Sequence, residues 1–521
     1  MAHNTIYHKW VPQWLKIPLL IMAMFPHLML MSLFHSNSAF TSSFLDVDSD
    51  DLQYLLMLMY GTIVVTLLVL PRFLAYFSVK YYVLLMSSAS IIILYVVAMT
   101  NDYHVILVMR FLEGIFGVLE GAIFLPLITA ELKTKHAKIV AYLFLYTIML
   151  TGGTITTSLL KTSIENYNFQ HMVLMIVYFH IFVLVVAFSI FNTNRFFAKI
   201  PLYQLDHVSC FLLWLSLQSG AYALIYGKRL MWLESNQIVL CIFLFMISSG
   251  LFILKQKYSK RPIFNLEVFS YTHILVGVIL FFIFYIIRSG LNNVYSIMAN
   301  VWKWPWEYIN NIQYFNVAGT ILGIIISGIM LMRAVSSRTI FASGFAILAI
   351  DCAWFTYVFF PDTTLSTIAV PLFIQGIGQG LLFTPLVMYL ITGLPPNLVS
   401  NGGVMGTTVR FWTTAIGYSI MQNAILYLSL KHADSLSTNF SPTNPIFSTL
   451  WNNNFNTNLS KLTYNDAVSI TIGGFKSKIS AQALLLSNME IFTVLFWIAL
   501  LTTIVILIYK PAKIGIRNIF Y

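Results

Sequence analysis

Charge is what this sequence has least of: charged residues fill 9% of 521 positions, against about a quarter in a soluble globular domain. That scarcity excludes water as the main solvent of the folded chain. Cysteine is scarcer still. The three present, Cys210, Cys241 and Cys352, lie in or beside apolar blocks, with neither metal-ligand spacing nor the number for a disulfide framework. They are expected as buried small hydrophobes. Two motifs are missing. No Gly-x-x-x-x-Gly-Lys-Ser/Thr run is present, so ATP is not the obvious energy source, and no His-Glu-x-x-His run or comparable sequence cluster offers a metal site. Neither a cofactor nor a metal is therefore expected.

What abounds is hydrocarbon. Hydrophobic residues make up 59% of the chain, in blocks of about 20, each long enough to cross about 30 Å of lipid. Repeated blocks of that length imply helices, because a helix satisfies its backbone polar groups internally. The blocks read as spans at 17–40, 53–72, 82–99, 105–130, 139–160, 171–191, 208–227, 236–254, 273–296, 311–332, 339–359, 365–391, 403–428 and 487–509. An all-α integral membrane protein of about fourteen spans is expected, with no soluble catalytic domain and no enzyme activity. No small-residue cleavage site follows the first block, so no cleavable signal peptide is expected.

The net charge of +11 suggests nucleic acid until its placement is considered. With the N-terminus inside, most of the Lys and Arg fall in cytoplasmic segments, such as Lys133, Lys135 and Lys138, or Lys255, Lys257, Lys260 and Arg261. That is the positive-inside bias of a bacterial inner membrane protein with both termini cytoplasmic. The basic balance reports topology, and no nucleic-acid partner is expected. Trp10 and Trp14 suit the membrane interface, as do Trp302, Trp304 and Trp306 at the outer side. Residues 429–486 are polar and rich in Asn, Ser and Thr. They are expected as a long outer loop, either a mobile linker or a docking or gating element.

Several stretches together resemble the major facilitator superfamily, in its fourteen-helix drug:proton antiporter branch. Arg110-Phe-Leu-Glu113-Gly114-Ile-Phe-Gly117 is similar to that superfamily's Arg-x-x-Gln-Gly-x-Gly motif, with Glu113 where Gln is usual. Lys260-Arg-Pro262-Ile-Phe-Asn-Leu-Glu-Val-Phe269 resembles the segment after the eighth span. Gly376-x-Gly378-x-Gly380 with Pro385, then Arg410 and Ala415-Ile-Gly417, is a third match. The resemblance implies a six-helix bundle over 1–200, two inserted helices over 201–262, and a second six-helix bundle over 263–521 carrying the outer loop 429–486. It also implies a substrate site near the midplane between the bundles. A periplasmic adaptor and an outer-membrane channel are partners that the resemblance admits. Two stretches depart from the pattern. Tyr76 stands where an Asp is usual in the gating loop between Arg72 and Lys80, and Gly152-Gly153-Thr154-Ile-Thr156-Thr157 replaces the antiporter Gly-Pro-x-x-Gly-Gly.

Ionisable residues inside the bilayer are costly, and they usually face a cavity or a partner. In the fourth span Arg110, Glu113, Gly114, Gly117, Glu120 and Gly121 recur at three- and four-residue spacing, which places them on one helix face. The glycines let a neighbouring helix come close. A carboxylate in a low dielectric holds its proton, and a nearby guanidinium loosens it. Arg110, Glu113 and Glu120 are therefore the candidates for proton coupling. The other reading is a static buried ion pair. His35 falls roughly where the branch's antiporters place an Asp, and histidine can titrate near neutral pH. His27, beside Pro26, Arg288, Asp351 and Tyr146 are candidates for the substrate cavity, with an Arg288–Asp351 pairing weighed. Arg72, Lys80, Gly114, Gly117, Gly152, Gly153 and Arg410 are candidates for structural or gating roles, Arg410 as a support of the C-terminal bundle. His180 is read as a packed, satisfied histidine.

Three functions compete. The leading one is a secondary exporter exchanging protons for a hydrophobic or amphiphilic small molecule across the bilayer. The second is an importer or facilitator of a nutrient or metabolite on the same fold. The third, an intramembrane transferase acting on lipid-linked substrates, has only Asp46, Asp48, Asp50 and Asp51 to support it, and a solvated acidic turn explains those better.

Overall fold

The computed structural model describes residues 6–34, 38–166, 168–201, 205–438, 440 and 444–508. The N-terminal part comprises α1 (Gln13–Ser32), α2 (Ser38–Leu45), α3 (Ser49–Tyr76), α4 (Val79–Met99), α5 (Tyr103–Ala122), α6 (Phe124–Glu131), α7 (Ala137–Leu159), α8 (Lys161–Asn166) and α9 (Phe169–Ile190). Two helices follow, α10 (His207–Tyr226) and α11 (Asn236–Tyr258). The C-terminal part comprises α12 (Thr272–Asn300), α13 (Trp306–Met332), α14 (Ser337–Thr356), α15 (Leu365–Ile391), α16 (Val399–Ser437), α17 (Pro445–Leu459) and α18 (Tyr464–Ile508).

Twelve runs of helix among the described residues are long and apolar enough to cross a membrane, and each lies on an expected span. The other two expected spans, 17–40 and 403–428, are helical as α1 and as part of α16. The first ends at Ser32 rather than at 40. The fourth is one path made of two helices, α5 and α6, that meet at Ile123. Pro126 accounts for the break: its ring clashes with the carbonyl four residues earlier and it donates no hydrogen bond.

Packing separates the helices into two groups. In one, α3 and α4 pack on α5, α9 packs on α4, and α1 packs on α5, α7 and α9. In the other, α15 packs on α13 and α14, while α12, α14 and α16 pack on α18. The inserted helices α10 and α11 pack on each other, and α10 also touches α3 and α16. The two groups meet along α7 with α13 and along α3 with α16. This is a two-bundle fold with a pair of added helices.

Glycine sets the closest approaches. A side chain on Gly114 would put its Cβ 2.6 Å from the Met59 carbonyl oxygen, so α5 meets the α3 backbone directly. Gly376 and Gly380 lie in the same way against the backbone of α13 at Asn316 and Thr320, as small residues do where helices associate in lipid. The outward faces carry large apolar groups, Phe188, Met246 and Val505 among them, which is the surface that acyl chains solvate.

The polar stretch 429–486 is not a loop. The helix α16 runs on through it to Ser437, α17 occupies its middle, and α18 begins at Tyr464. At 1.5 Å per residue, the 45 residues of α18 reach about 68 Å, more than twice the hydrocarbon thickness. The aromatic side chains hidden in the stretch explain its order. Phe440 and Phe447 lie edge-on to each other, and Trp451 stacks over Phe475 with ring centroids 6.0 Å apart.

Candidate functional site

A cavity of about 280 Å³ lies where α1, α3, α5, α7 and α16 converge. Met24 and His27 line it from α1, Tyr60 and Ile63 from α3, Glu113, Gly117 and Gly121 from α5, Tyr146 and Met149 from α7, and Thr407 and Arg410 from α16. Both bundles therefore contribute to it. A larger groove of about 600 Å³ between α14 and α18 holds no charged side chain among its lining residues.

Two charged features break the apolar wall. The first is the pair on α5. Arg110 is fully buried, and its Nη1 donates to Glu113 Oε2 and, at 3.1 Å, to the Leu30 carbonyl. Its guanidinium also sits 4.8 Å over the Phe34 ring. Arg110 Nε and Nη2 and Glu113 Oε1 have no hydrogen-bond partner among the described residues. Glu113 reaches the cavity and Arg110 lies behind it.

The second is Arg410. Its Nε donates to the Tyr285 hydroxyl at 3.0 Å, and its guanidinium lies 5.2 Å over Phe383 and 5.5 Å from the Tyr60 ring. Expected in a structural or gating role, Arg410 is bonded within its own bundle and also lines the cavity opposite Tyr60 of the other. Tyr146 stacks on Tyr142 at 5.7 Å and meets Phe383 edge-on at 5.0 Å, so aromatic rings surround the guanidinium.

Glu120, two turns along α5, is fully buried and absent from the cavity wall. Ser87 and Ser90 of α4 donate to its two oxygens at 2.5 and 2.7 Å. His180 Nδ1 lies 3.2 Å and His27 Nδ1 3.4 Å from Oε2. His27 also lines the cavity, so it stands between the two places. Read from sequence as a packed histidine, His180 is a partner of Glu120. Serines at i and i+3 in an apolar helix were the available signal for this cluster, and pairing them with α5 required the fold.

Other candidates lie elsewhere. The weighed Arg288–Asp351 pair does not form: Arg288 Nε donates to Gln379 Oε1 at 2.8 Å, and Asp351 is buried on α14 with Oδ1 unpartnered among the described residues. Neither lines the cavity. His35 lies outside the described residues. Gly114 and Gly117 face α3 and α1, and a Cβ on Gly117 would lie 3.3 Å from Leu30 Cδ1, closer than ordinary contact. Gly152 has open space around it, and Gly153 accepts a hydrogen bond from Thr157 of its own helix. Arg72 is half-buried near the end of α3, and Lys80 Nζ sits 4.5 Å over Phe188. Where an Asp is usual, the Tyr76 carbonyl accepts from Arg195 at 3.1 Å.

No family model matches the chain. It is similar to the probable multidrug resistance protein EmrY of Escherichia coli, 23% identical over 290 residues that cover 55% of this chain and 54% of that one. It is also similar to the multidrug export protein EmrB of the same organism, 23% identical over 252 residues covering 46% and 47%. The chain thus spans about half the length of these curated relatives. Among solved structures it resembles a POT family transporter in complex with 5-aminolevulinic acid, with TM-score 0.59, 12% identity and 96% of each chain covered. The nucleoside transporter NupG gives TM-score 0.52 at 11% identity, over 91% of this chain and 99% of that one. The chain is thus a multi-pass membrane protein with the two-bundle fold of solved transporters, similar in sequence to multidrug export proteins over about half its length.

Proposed function

We propose that the protein is a secondary active exporter that exchanges protons for hydrophobic or amphiphilic small molecules. The observation that carries this reading is the cavity wall: apolar and aromatic, shared by both bundles, with one carboxylate among its described lining residues, Glu113, paired to a buried arginine. Ligand sites of this kind are mostly apolar with a few placed polar groups. A proton arriving at Glu113 frees Arg110 from its ion pair, and proton loss restores it. Occupancy of the cavity by substrate and by proton are thereby opposed, which exchange requires. Arg410, ringed by Tyr60, Tyr285 and Phe383, supplies the second polar handle.

The helix extensions α16–α18 and their aromatic cluster are the surface on which a periplasmic adaptor would dock. We place the chain in the bacterial inner membrane with both termini cytoplasmic. The domain limits fall at 1–200, 201–262 and 263–521.

The altered Gly152–Thr157 stretch of α7 favours a second reading, an importer or facilitator. A Cβ on Gly152 would meet open space, so this glycine is not required by a close helix approach. Direction is settled in proteoliposomes with an imposed pH gradient and a fluorescent lipophilic cation. An exporter moves the dye against the inward proton flow, and its deletion raises drug susceptibility. Accumulation of a nutrient in expressing cells, with no effect of the gradient on the dye, supports the importer.

A further inference from the structure

The cavity reading leaves His27, Glu120 and His180 without a role. They come from α1, α5 and α9, are all buried, and offer one ligand atom each within 4.8 Å of one another. His27 is 7% exposed, yet neither of its ring nitrogens has a hydrogen-bond partner among the described residues, and Nε2 of His180 is unpartnered too. His27 Nδ1 has only the 3.4 Å approach of Glu120 Oε2, and a buried imidazole so weakly engaged is costly unless something else binds it.

We propose that His27, Glu120 and His180 bind one divalent transition-metal ion of the zinc class. Both separations from the carboxylate match. Ligands held tetrahedrally at about 2.0–2.2 Å from zinc stand roughly 3.3–3.5 Å from one another. The two Nδ1 atoms lie 3.4 and 3.2 Å from Glu120 Oε2. Two imidazoles and a carboxylate are the borderline ligands such ions select. The supporting layer is present as well: Ser87 and Ser90 donate to the two carboxylate oxygens and fix their orientation, as outer hydrogen bonds do around metal ligands. Three protein ligands leave a fourth position for water. His27 also lines the central cavity, which gives the ion a way in. Three helices far apart in sequence supply the ligands, so no spacing motif announces the site.

The test uses the purified full-length protein in nanodiscs, with Co²⁺ as a spectroscopic probe and Zn²⁺ as competitor. The expected result is saturable binding of one Co²⁺ per chain, with the intense visible absorption of a low-coordinate nitrogen–oxygen site, abolished by Zn²⁺. Glu120→Gln and His180→Gln should each weaken binding at least about 100-fold, and Ser90→Ala about tenfold through the supporting layer. Exposed His104→Gln should leave it unchanged. Absence of a saturable signal in the native protein overturns the proposal and leaves a cluster that holds protons only. So does a signal that survives the two ligand variants. Where a ligand variant does not fold, the native spectrum and Ser90→Ala still decide. None of these readings depends on transport, so failure here leaves the cavity reading intact, and failure of exchange leaves this one intact.

Discussion

The sharpest consequence of the cavity concerns Glu113→Gln. In the native chain Arg110 donates to Glu113 and to the Leu30 carbonyl, entirely away from water. Deleting one partner of a buried pair outright costs about 3–5 kcal/mol. The amide keeps the shape and one acceptor oxygen for Arg110, so the loss should be held to about 1–2 kcal/mol, and the protein should fold. What disappears is the titrating group. One pH unit stores about 1.4 kcal/mol per proton, enough for a tenfold concentration ratio of a substrate exchanged one for one. With Glu113 the one carboxylate among the described cavity residues, one proton per cycle is the expected limit. Proteoliposomes bearing a gradient of one unit should therefore reach about tenfold accumulation with native protein. With Glu113→Gln they should reach none, while downhill substrate movement persists. A variant that still accumulates substrate with the native pH dependence would falsify the role given to Glu113.

Four further expectations follow from single contacts. Arg410→Lys keeps the charge but loses the Nε bond to Tyr285 and the stacked contacts with Phe383 and Tyr60; at about 0.5–2 kcal/mol for such contacts, affinity for a lipophilic cation or anion should change roughly 2- to 30-fold, read by equilibrium binding. Gly114→Val drives a side chain into the Met59 backbone, so it should cost at least about 1–3 kcal/mol and cut the yield of monodisperse protein, whereas Gly152→Ala, with open space, should not. Asp206, at the start of α10, has burial working against its charge, but bonds from Lys255 and from the Ser209 hydroxyl and amide outweigh it and hold its carboxyl below the usual range. Its stabilising effect is therefore present above an unfolded value of about 3.9 and lost as pH falls through the lower folded value; the melting temperature of native protein should exceed that of Asp206→Asn at neutral pH, and the gap should close in acid. Trp451→Ala, in α17, should leave proteoliposome exchange unchanged and lower drug resistance in cells if an adaptor docks there.

Most of the fold was legible because lipid imposes length. A run of about 20 apolar residues has one use, and every helix found long and apolar enough fell on such a run. The failures came where that rule does not apply. Residues 429–486 are polar, so hydropathy reads them as loop, although Phe440, Phe447, Trp451 and Phe475 gather into a packed cluster that joins α17 to α18. Pro126 divides the fourth span in a way that composition conceals. That Arg410 lines the cavity was not legible because distance from the membrane surface was the only guide, while the fact that α16 faces α3 and α7 across the bundle boundary lies in tertiary packing.

The fate of the α5 stripe shows why a shared helix face did not predict a shared role. At about 100° per residue, Gly117 lies about 40° and Gly121 about 80° round from Glu113, all toward one side. These three meet the cavity. Seven residues fall about 20° short of two full turns, so Glu120 lies just past the opposite edge of that arc, where α4 and α9 close over it through Ser87, Ser90 and His180. Twenty degrees is within the spread that an amphipathic stripe covers, so periodicity groups the two carboxylates while packing separates them. Glu113 keeps an unpartnered oxygen beside the cavity, and Glu120 has both oxygens engaged by hydroxyls, with two imidazoles at its flank. Glu113 thus borders the cavity while Glu120 is held in a closed cluster beside it, and His27 lines the one and lies 3.4 Å from the other.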